Sequence, residues 1–360
     1  MNNLIIFTGI DYQLPLLLGM FGRNEITYES IFDEGIYKSQ ILQIYSCKRL
    51  NSKIYIYKDL NDFIKTPSTE FDNFDNKIIV LDDLSNTILN QKVKEIANLK
   101  SIFVWYFGEL FEPANIIRVC NMNLDYILAG SNRPELSELS KFNLDLLLPF
   151  RYFRYYIGYT YLEELISNIP IPKYDINKPK LFSYVRYSSG SQWRNKILQS
   201  IDGMDVLLNP KNSANDSYDL VYPKYKHFEA INDYLYCNFN LIFETIDYRN
   251  IKEYFLTEKT FKGLFFGKPF LLVAPFPVLN FLKSKGFSIV NFEFIDSIES
   301  SQDVVDSVKL FVNWLNTESE YVIESKYNKL LDSSKQNRTI LMDYLNNYEP
   351  NFDIFSKLLT

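Results

Sequence analysis

Residues Tyr254–Phe287 read YFLTEKTFKGLFFGKPFLLVAPFPVLNFLKSKGF, and their pattern predicts the fold class. Thr257 is a residue type that caps helix starts and Gly267 is one that ends helices, so a helix is predicted between them. Pro269–Val273 is a short apolar run typical of a buried strand, and Val278–Lys285 returns to helical spacing. The order helix, strand, helix predicts an α/β protein.

The first two turns of that first helix are charged, because they contain Glu258, Lys259 and Lys262. In an α/β segment of this order, such a helix start is expected at the carboxyl edge of a parallel sheet, where open α/β folds bind ligands. The alternative is that the three residues form an ordinary solvated first turn. Their charges alone do not separate a ligand site from a solvated surface.

The letters TEKTFKGLFFGKPFLL, residues 257–272, resemble the donor-binding segment of GT-B glycosyltransferases. The likeness is nearest to the TEK region of the α1,3-fucosyltransferase type and its viral, including phage-like, and bacterial relatives. In that family the motif glutamate holds the donor ribose and the adjacent lysine meets the diphosphate, which the resemblance places on Glu258 and Lys259. It also implies two Rossmann-like domains facing each other across a cleft, with a nucleotide sugar as co-substrate and no other cofactor.

The 360 residues, with 47% hydrophobic and 23% charged content, suffice for two globular domains. Strand and helix patterns alternate from Leu4 onward, which predicts a parallel sheet covered by helices, and a second series begins at Lys180. Ser288–Phe292 is predicted as the last strand. The expected organisation is an acceptor-side domain (1–150), an interdomain helix and linker (151–179), a donor-nucleotide domain (180–340), and a C-terminal helix crossing back to the first domain (341–360).

Charge and cysteine content bound the environment of the protein. A net charge of −6 argues against a broad phosphate-binding surface. The three cysteines are widely spread and form neither a disulfide framework nor a zinc spacing, which favours a reducing compartment. The N-terminus lacks the pattern of a secretory signal, and prolines interrupt the one long apolar run. We therefore expect a cytoplasmic protein, or one in the host cytoplasm if viral, without stable membrane insertion.

A second group of candidate donor-binding residues precedes the motif. The loop after the strand at Leu181 contains Arg186, Ser189 and Gly190, and it leads into a helix that carries Arg194. Backbone N–H groups at such a helix start, with two arginines, suit an anion. The resemblance assigns Arg194 to the diphosphate. Glu244 ends the strand predicted at Asn240–Phe243; it would orient Lys259 or the nucleotide, or serve equally as a cap.

The candidate residues favour metal-independent chemistry. Lys259, Lys262 and Arg194 would neutralise the leaving diphosphate in place of a divalent ion. A metal site would need an Asp-X-Asp turn after a strand, whereas Asp82 and Asp83 are adjacent, and Asp72 and Asp75 stand in a polar loop. No metal ligands are therefore assigned.

A general base in the first domain would deprotonate the acceptor hydroxyl in an inverting transfer, which is the outcome we expect although the residues do not decide between inversion and retention. Carboxylates just beyond strand ends are the candidates. Glu109 and Asp11 rank first, because the pair Asp82 and Asp83 has a simpler helix-capping explanation.

Three hypotheses about function remain open at this point. The first is a glycosyltransferase acting on a glycan or similar acceptor. The second transfers the sugar to a hydroxylated base in DNA. It is favoured by the arginines among aromatic rings in PFRYFRYYIGYTY, residues 149–161, which would equally suit an interdomain helix whose rings pack between the domains, and the acidic net charge counts against it. The third is a non-catalytic nucleotide-sugar-binding protein. Salt-dependent DNA affinity would identify the second, and donor turnover would exclude the third.

Overall fold

The computed structural model describes residues 2–8, 25–29, 41–81, 89–105, 124–129, 131–132, 142–144, 172–183, 192–201, 206–208, 237–250, 252, 254–347 and 352–359. The chain forms two compact units, one comprising Met1–Tyr159 with Tyr348–Thr360 and the other Thr160–Asn347. Each unit contains a sheet with parallel strands together with helices, which confirms the predicted α/β class. Across these ranges, no helix combines the length and apolarity needed to cross a bilayer.

The secondary structure of the described residues consists of strands, α-helices and short 3-10 helices. The strands are β1 (Asn3–Thr8), β2 (Ile26–Glu29), β3 (Ile41–Cys47), β4 (Ser52–Tyr57), β5 (Asn76–Leu81), β6 (Leu99–Trp105), β7 (Tyr126–Ala129), β8 (Ser131–Asn132), β9 (Phe142–Leu144), β10 (Leu181–Ser183), β11 (Val206–Leu208), β12 (Phe239–Phe243), β13 (Tyr254–Phe255) and β14 (Phe270–Val273). The helices are α1 (Leu60–Lys65), α2 (Leu89–Glu95), α3 (Gln192–Ser200), α4 (Glu258–Phe266), α5 (Phe276–Ser284), α6 (Ser301–Thr317), α7 (Glu320–Asn347) and α8 (Phe352–Leu358). The 3-10 helices occupy Ser68–Phe71 and Val290–Glu293.

The first unit is built on a sheet whose described strands have the order β2-β3-β4-β1-β5-β6-β7-β9. Alternate side chains of β1 enter two separate cores, because successive residues of a strand point to opposite faces. Leu4 and Ile6 belong to the cluster that receives Phe63 of α1. Ile5 and Phe7 belong to the cluster that receives the C-terminal α8. Every residue of β1 is buried as a result.

The first sheet departs from the predicted parallel arrangement at one edge, where β3 runs antiparallel to both β2 and β4. A tight turn joins β3 to β4, with the Asn51 N–H donating to the Lys48 carbonyl oxygen over 3.1 Å and Asn51 at φ 45°. So short a connection permits a hairpin and excludes the longer crossover that parallel neighbours require. The strands β1, β4 and β5 are parallel, as predicted.

The second unit contains a sheet whose described strands are all parallel, in the order β11-β10-β12-β14. The strand predicted at Ser288–Phe292 is absent from these described residues, which contain a 3-10 helix instead. Asn291 provides the reason. Its Oδ1 accepts from the Leu272 N–H (2.9 Å) and its Nδ2 donates to the Leu272 carbonyl (3.2 Å), so one side chain occupies the β14 edge.

Candidate functional site

The candidate site lies at the carboxyl edge of the second sheet, near the point where the strand order reverses. The chain runs from β10 through α3 to β11 on one side, and β12 then pairs with the other side of β10. Open α/β sheets bind ligands beyond the carboxyl ends of their strands at such a reversal. Glu244 follows β12 directly, and its N–H donates to the carbonyl oxygen of Val273 at the end of β14 (2.9 Å).

Glu244 is fully buried and its carboxyl group accepts four hydrogen bonds. The backbone N–H of Thr257 donates to Oε1 (3.1 Å) and that of Thr245 to Oε2 (3.1 Å). The hydroxyl of Thr257 donates to Oε2 (2.6 Å), and the hydroxyl of Thr260 donates to Oε1. Both oxygens therefore have two donors each, as a buried carboxyl group requires. The carboxyl group also lies at the N-terminus of α4, where a negative charge is favourable.

The first turn of α4 carries Lys259 at this edge. Thr257 caps the helix, since its Oγ1 accepts from the Lys259 N–H over 3.3 Å. The Lys259 ammonium donates to the hydroxyl oxygen of Thr245 (3.0 Å), the residue after Glu244. Lys259 is half-buried. Its backbone and its ammonium group are thus both attached to residues that bind the Glu244 carboxyl group.

Arg194 reaches the same strand end from α3. Its Nη2 donates to the backbone carbonyl oxygen of Glu244 over 2.7 Å, and its side chain is buried. The neighbouring Trp193 ring helps to hold α3 there, because it packs 5.8 Å from the Phe243 ring and 5.7 Å from the Tyr248 ring, measured between centroids. Two cationic side chains from different helices therefore attach to the consecutive residues Glu244 and Thr245.

The close packing of α4 against the sheet depends on a glycine, Gly263. A Cβ atom at Gly263 would lie 2.5 Å from Cδ1 of Ile242 and 3.0 Å from the Phe270 ring, so any other residue would have to displace these side chains. At the far end, Gly267 ends the helix in the left-handed conformation at φ 61°. Arg338 of α7 donates to the last carbonyls, from Nε to Phe265 (2.7 Å) and from Nη2 to Phe266 (2.9 Å).

The structure describes only part of the predicted site. Arg194, Glu244 and Lys259 come together at the end of β12, and Glu258 is the first residue of α4. Lys262 lies further along α4 and is buried, with 5% of its surface exposed. The remaining predicted residues lie outside the described ranges: Asp11, Glu109, Arg186, Ser189 and Gly190, together with the aromatic segment 149–161. In the described part of the chain, His, Cys, Asp and Glu side chains do not gather in threes as a metal site would need.

Two residues of this arrangement, Thr245 and Thr260, were not predicted from the sequence. Thr260 follows Thr257 by three positions, which places both hydroxyls on one face of the helix start. That spacing, together with Glu244 at the end of the preceding strand, could have predicted that both hydroxyls bind the carboxyl group. Thr245 carried no comparable signal, because its role depends on the Lys259 side chain folding back over the loop after β12.

These features define an α/β protein with a cationic candidate ligand site at the carboxyl edge of its second sheet. Comparison with solved structures finds an α1,3-fucosyltransferase with GDP-fucose at 15% identity, with 82% of each chain covered and a TM-score of 0.40. The catalytic domain of starch synthase IV from Arabidopsis thaliana, bound to ADP and acarbose, is 9% identical over 100% of this chain and 99% of that chain, with a TM-score of 0.47. UDP-GlcNAc 2-epimerase from Neisseria meningitidis, bound to UDP-GlcNAc, is 11% identical over 96% and 100%, with a TM-score of 0.32.

No family model matches the chain, and no curated protein matches it by sequence. The three structural likenesses have low identities and TM-scores below 0.5, so they do not assign a function.

Proposed function

We propose that the protein is a glycosyltransferase whose nucleotide-sugar donor binds at the carboxyl edge of the second sheet. The observation that carries the proposal is the attachment of Arg194 and Lys259 to the consecutive residues Glu244 and Thr245. Both side chains are cationic and attach to neighbouring residues, so a diphosphate bound beside them would accept charge-assisted hydrogen bonds from each. The TEK motif at the start of α4 supports a sugar nucleotide as the source of the diphosphate.

Within this proposal Lys259 and Arg194 meet the diphosphate, and Glu258 accepts from the donor ribose. Arg186, Ser189 and Gly190 complete the anion site, and Lys262 contributes positive charge from within α4. Charge on the leaving diphosphate is neutralised by these cations, so the transfer needs no divalent ion. Glu109 or Asp11 serves as the general base of an inverting transfer to the hydroxyl of a glycan or similar acceptor.

Calorimetric titration with GDP, UDP and ADP tests the donor site. We expect one of these nucleotides to bind, and Lys259→Ala to weaken its affinity about 10- to 100-fold, since a hydrogen-bonded charge pair is lost. Glu258→Ala should weaken binding of the same nucleotide while leaving the unfolding temperature unchanged. Lys309→Ala is the matched control, because Lys309 is an exposed lysine of α6. Equal affinity in the wild type and Lys259→Ala would refute the donor site.

Catalysis requires a second measurement, because a non-catalytic binding protein would pass the first. We expect turnover of the matching nucleotide sugar to persist in excess chelator, with the nucleoside diphosphate released as product. Full loss of turnover in chelator, restored by adding back manganese or magnesium, would contradict metal independence. Tight nucleotide binding without any donor turnover would instead favour the binding-protein hypothesis.

A further inference from the structure

Glu244 is placed to control Lys259 without touching a ligand itself. Its carboxyl group is fully buried and already accepts four hydrogen bonds, so a bound nucleotide has no access to it. What it holds instead are the residues that bind Lys259. The Thr257 hydroxyl donates to Oε2 of Glu244 and thereby directs its oxygen lone pairs at the Lys259 N–H.

A second connection runs through the loop after β12. The Thr245 N–H donates to Oε2 of Glu244 over 3.1 Å, which fixes the turn of the backbone at Thr245. The Thr245 hydroxyl oxygen then accepts from the Lys259 ammonium over 3.0 Å. One carboxyl group thus determines both ends of the lysine: its backbone through Thr257 and its charged group through Thr245.

We propose that Glu244 is a positioning residue that presets Lys259, through Thr257 and Thr245, in the geometry used to bind the donor diphosphate. The proposal deepens the glycosyltransferase assignment and rests on it for the identity of the ligand. A preset cation loses less conformational freedom on binding than a mobile one, so the affinity for an anion is greater. Glu244 itself does not contact the diphosphate, because its carboxylate and the diphosphate are both negative and would repel each other.

Two substitutions interrupt the two connections to different extents. Glu244→Gln replaces one carboxyl oxygen by an NH2 group. Because an NH2 group cannot accept, the backbone N–H that faces it loses its hydrogen bond. Thr245→Val removes only the oxygen that accepts from the Lys259 ammonium and preserves the N–H that donates to Glu244. Thr245→Val keeps the test valid if Glu244→Gln fails to fold.

The first readout needs no nucleotide. Acetylation of Lys259 by a small amine-reactive reagent is followed by peptide mass spectrometry, with Lys309 as the internal reference. We expect Lys259 to react several-fold faster in both variants than in the wild type, because Thr245→Val removes the oxygen that accepts from its ammonium and Glu244→Gln weakens the hydrogen bonding that fixes Thr257 and Thr245. Unchanged reactivity of Lys259 in both variants would overturn the proposal, whatever nucleotide binding shows.

The second readout is affinity for the nucleoside diphosphate that the wild type binds. We expect a loss of about tenfold in each variant, the size of one charge-assisted contact. The control is Asn291→Ala, which destabilises the same unit at the β14 edge without touching Glu244, Thr245 or Thr257, and it should leave affinity unchanged at temperatures where it is folded. If Lys259→Ala loses affinity while Glu244→Gln and Thr245→Val retain it, Glu244 is merely structural and the donor site stands. Faster acetylation in both variants without nucleotide binding to the wild type would support positioning by Glu244 and refute the donor site.

Discussion

Lys268 is a basic side chain that the second unit encloses almost completely, with 2% of its surface exposed. It stands at the amino edge of the second sheet, just before β14, and its ammonium donates to the Cys237 carbonyl oxygen. Burial lowers the pKa of Lys268 to about 8, Cys237 opposes that shift, and Lys178 adds to it. Lys268, in the GKPF sequence at residues 267–270, therefore anchors the segment before β12 at the sheet edge opposite the candidate site.

This burial predicts a stability that depends on pH in the alkaline range. In the unfolded chain Lys268 keeps its proton up to a pKa near the ordinary lysine value of 10.5, whereas the folded state releases it near 8. The unfolded state therefore holds more protons between these two values, and stability should rise with pH across that window by about 3 kcal/mol. Below pH 8 both states are charged and the contribution of the group no longer changes.

Urea unfolding of the wild type and Lys268→Met at several pH values between 7.5 and 10.5 measures this effect as a difference. The rise should be present in the wild type and reduced in the variant, while Lys309→Met, which alters an exposed lysine, should keep it. Parallel stability curves for the wild type and Lys268→Met would show that Lys268 titrates normally.

The packing of α4 on the sheet predicts that alanine at position 263 destabilises the protein, the reverse of the usual effect of replacing a glycine in a helix. Alanine in place of glycine usually stabilises a helix by roughly 1 kcal/mol. At Gly263 the added Cβ would clash with Ile242 and Phe270, so we expect Gly263→Ala to lower the free energy of unfolding by about 1–3 kcal/mol.

The double variant Gly263→Ala/Ile242→Val provides the control for the clash. It removes the Cδ1 atom that would lie 2.5 Å from the new Cβ, so its loss should be smaller than the sum of the two single losses. Chemical denaturation measures all three variants. Strict additivity would mean that the contact with Ile242 does not limit the approach of α4.

The elements also show where sequence patterns succeed. The cap at Thr257 and the stop at Gly267 predicted both ends of α4, because local backbone preferences determine helix ends. The segment at Asn291 failed for the opposite reason. Its apolar residues are typical of a strand, but its structure depends on a side-chain amide that pairs with Leu272, nineteen positions away. The site residue Thr245 was missed for the same reason, since Lys259 reaches it across fourteen positions.

The first unit is assembled from both ends of the sequence. Phe355 of α8 is fully buried in the core cluster that contains Ile5 and Phe7 of β1. The Phe355→Ala variant should lose about 3–5 kcal/mol of unfolding free energy, the usual effect of truncating a buried aromatic ring. The loss should be confined to the first unit, because the core contacts of Phe355 lie within that unit.

Hydrogen exchange followed by mass spectrometry can locate that loss. Amides of β1 and β4 should exchange faster in Phe355→Ala, while those of β12 and β14 should keep their protection. Tyr321→Ala is the control, because Tyr321 is 81% exposed on α7 and its removal should change stability by less than about 0.5 kcal/mol. Equal acceleration in both units would indicate a single cooperative structure.

The place of α8 in the first core also sets an order of events on the ribosome. Domains usually fold as they emerge, beginning with the N-terminal one. Here β1 is synthesised early, but the helix that covers one face of its sheet emerges only after the whole of the second unit. The second unit can therefore complete its fold first, while the cluster around Ile5 and Phe7 lacks the packing of Phe355 for most of translation. A chaperone that binds apolar strands would find its target in this half of the nascent chain.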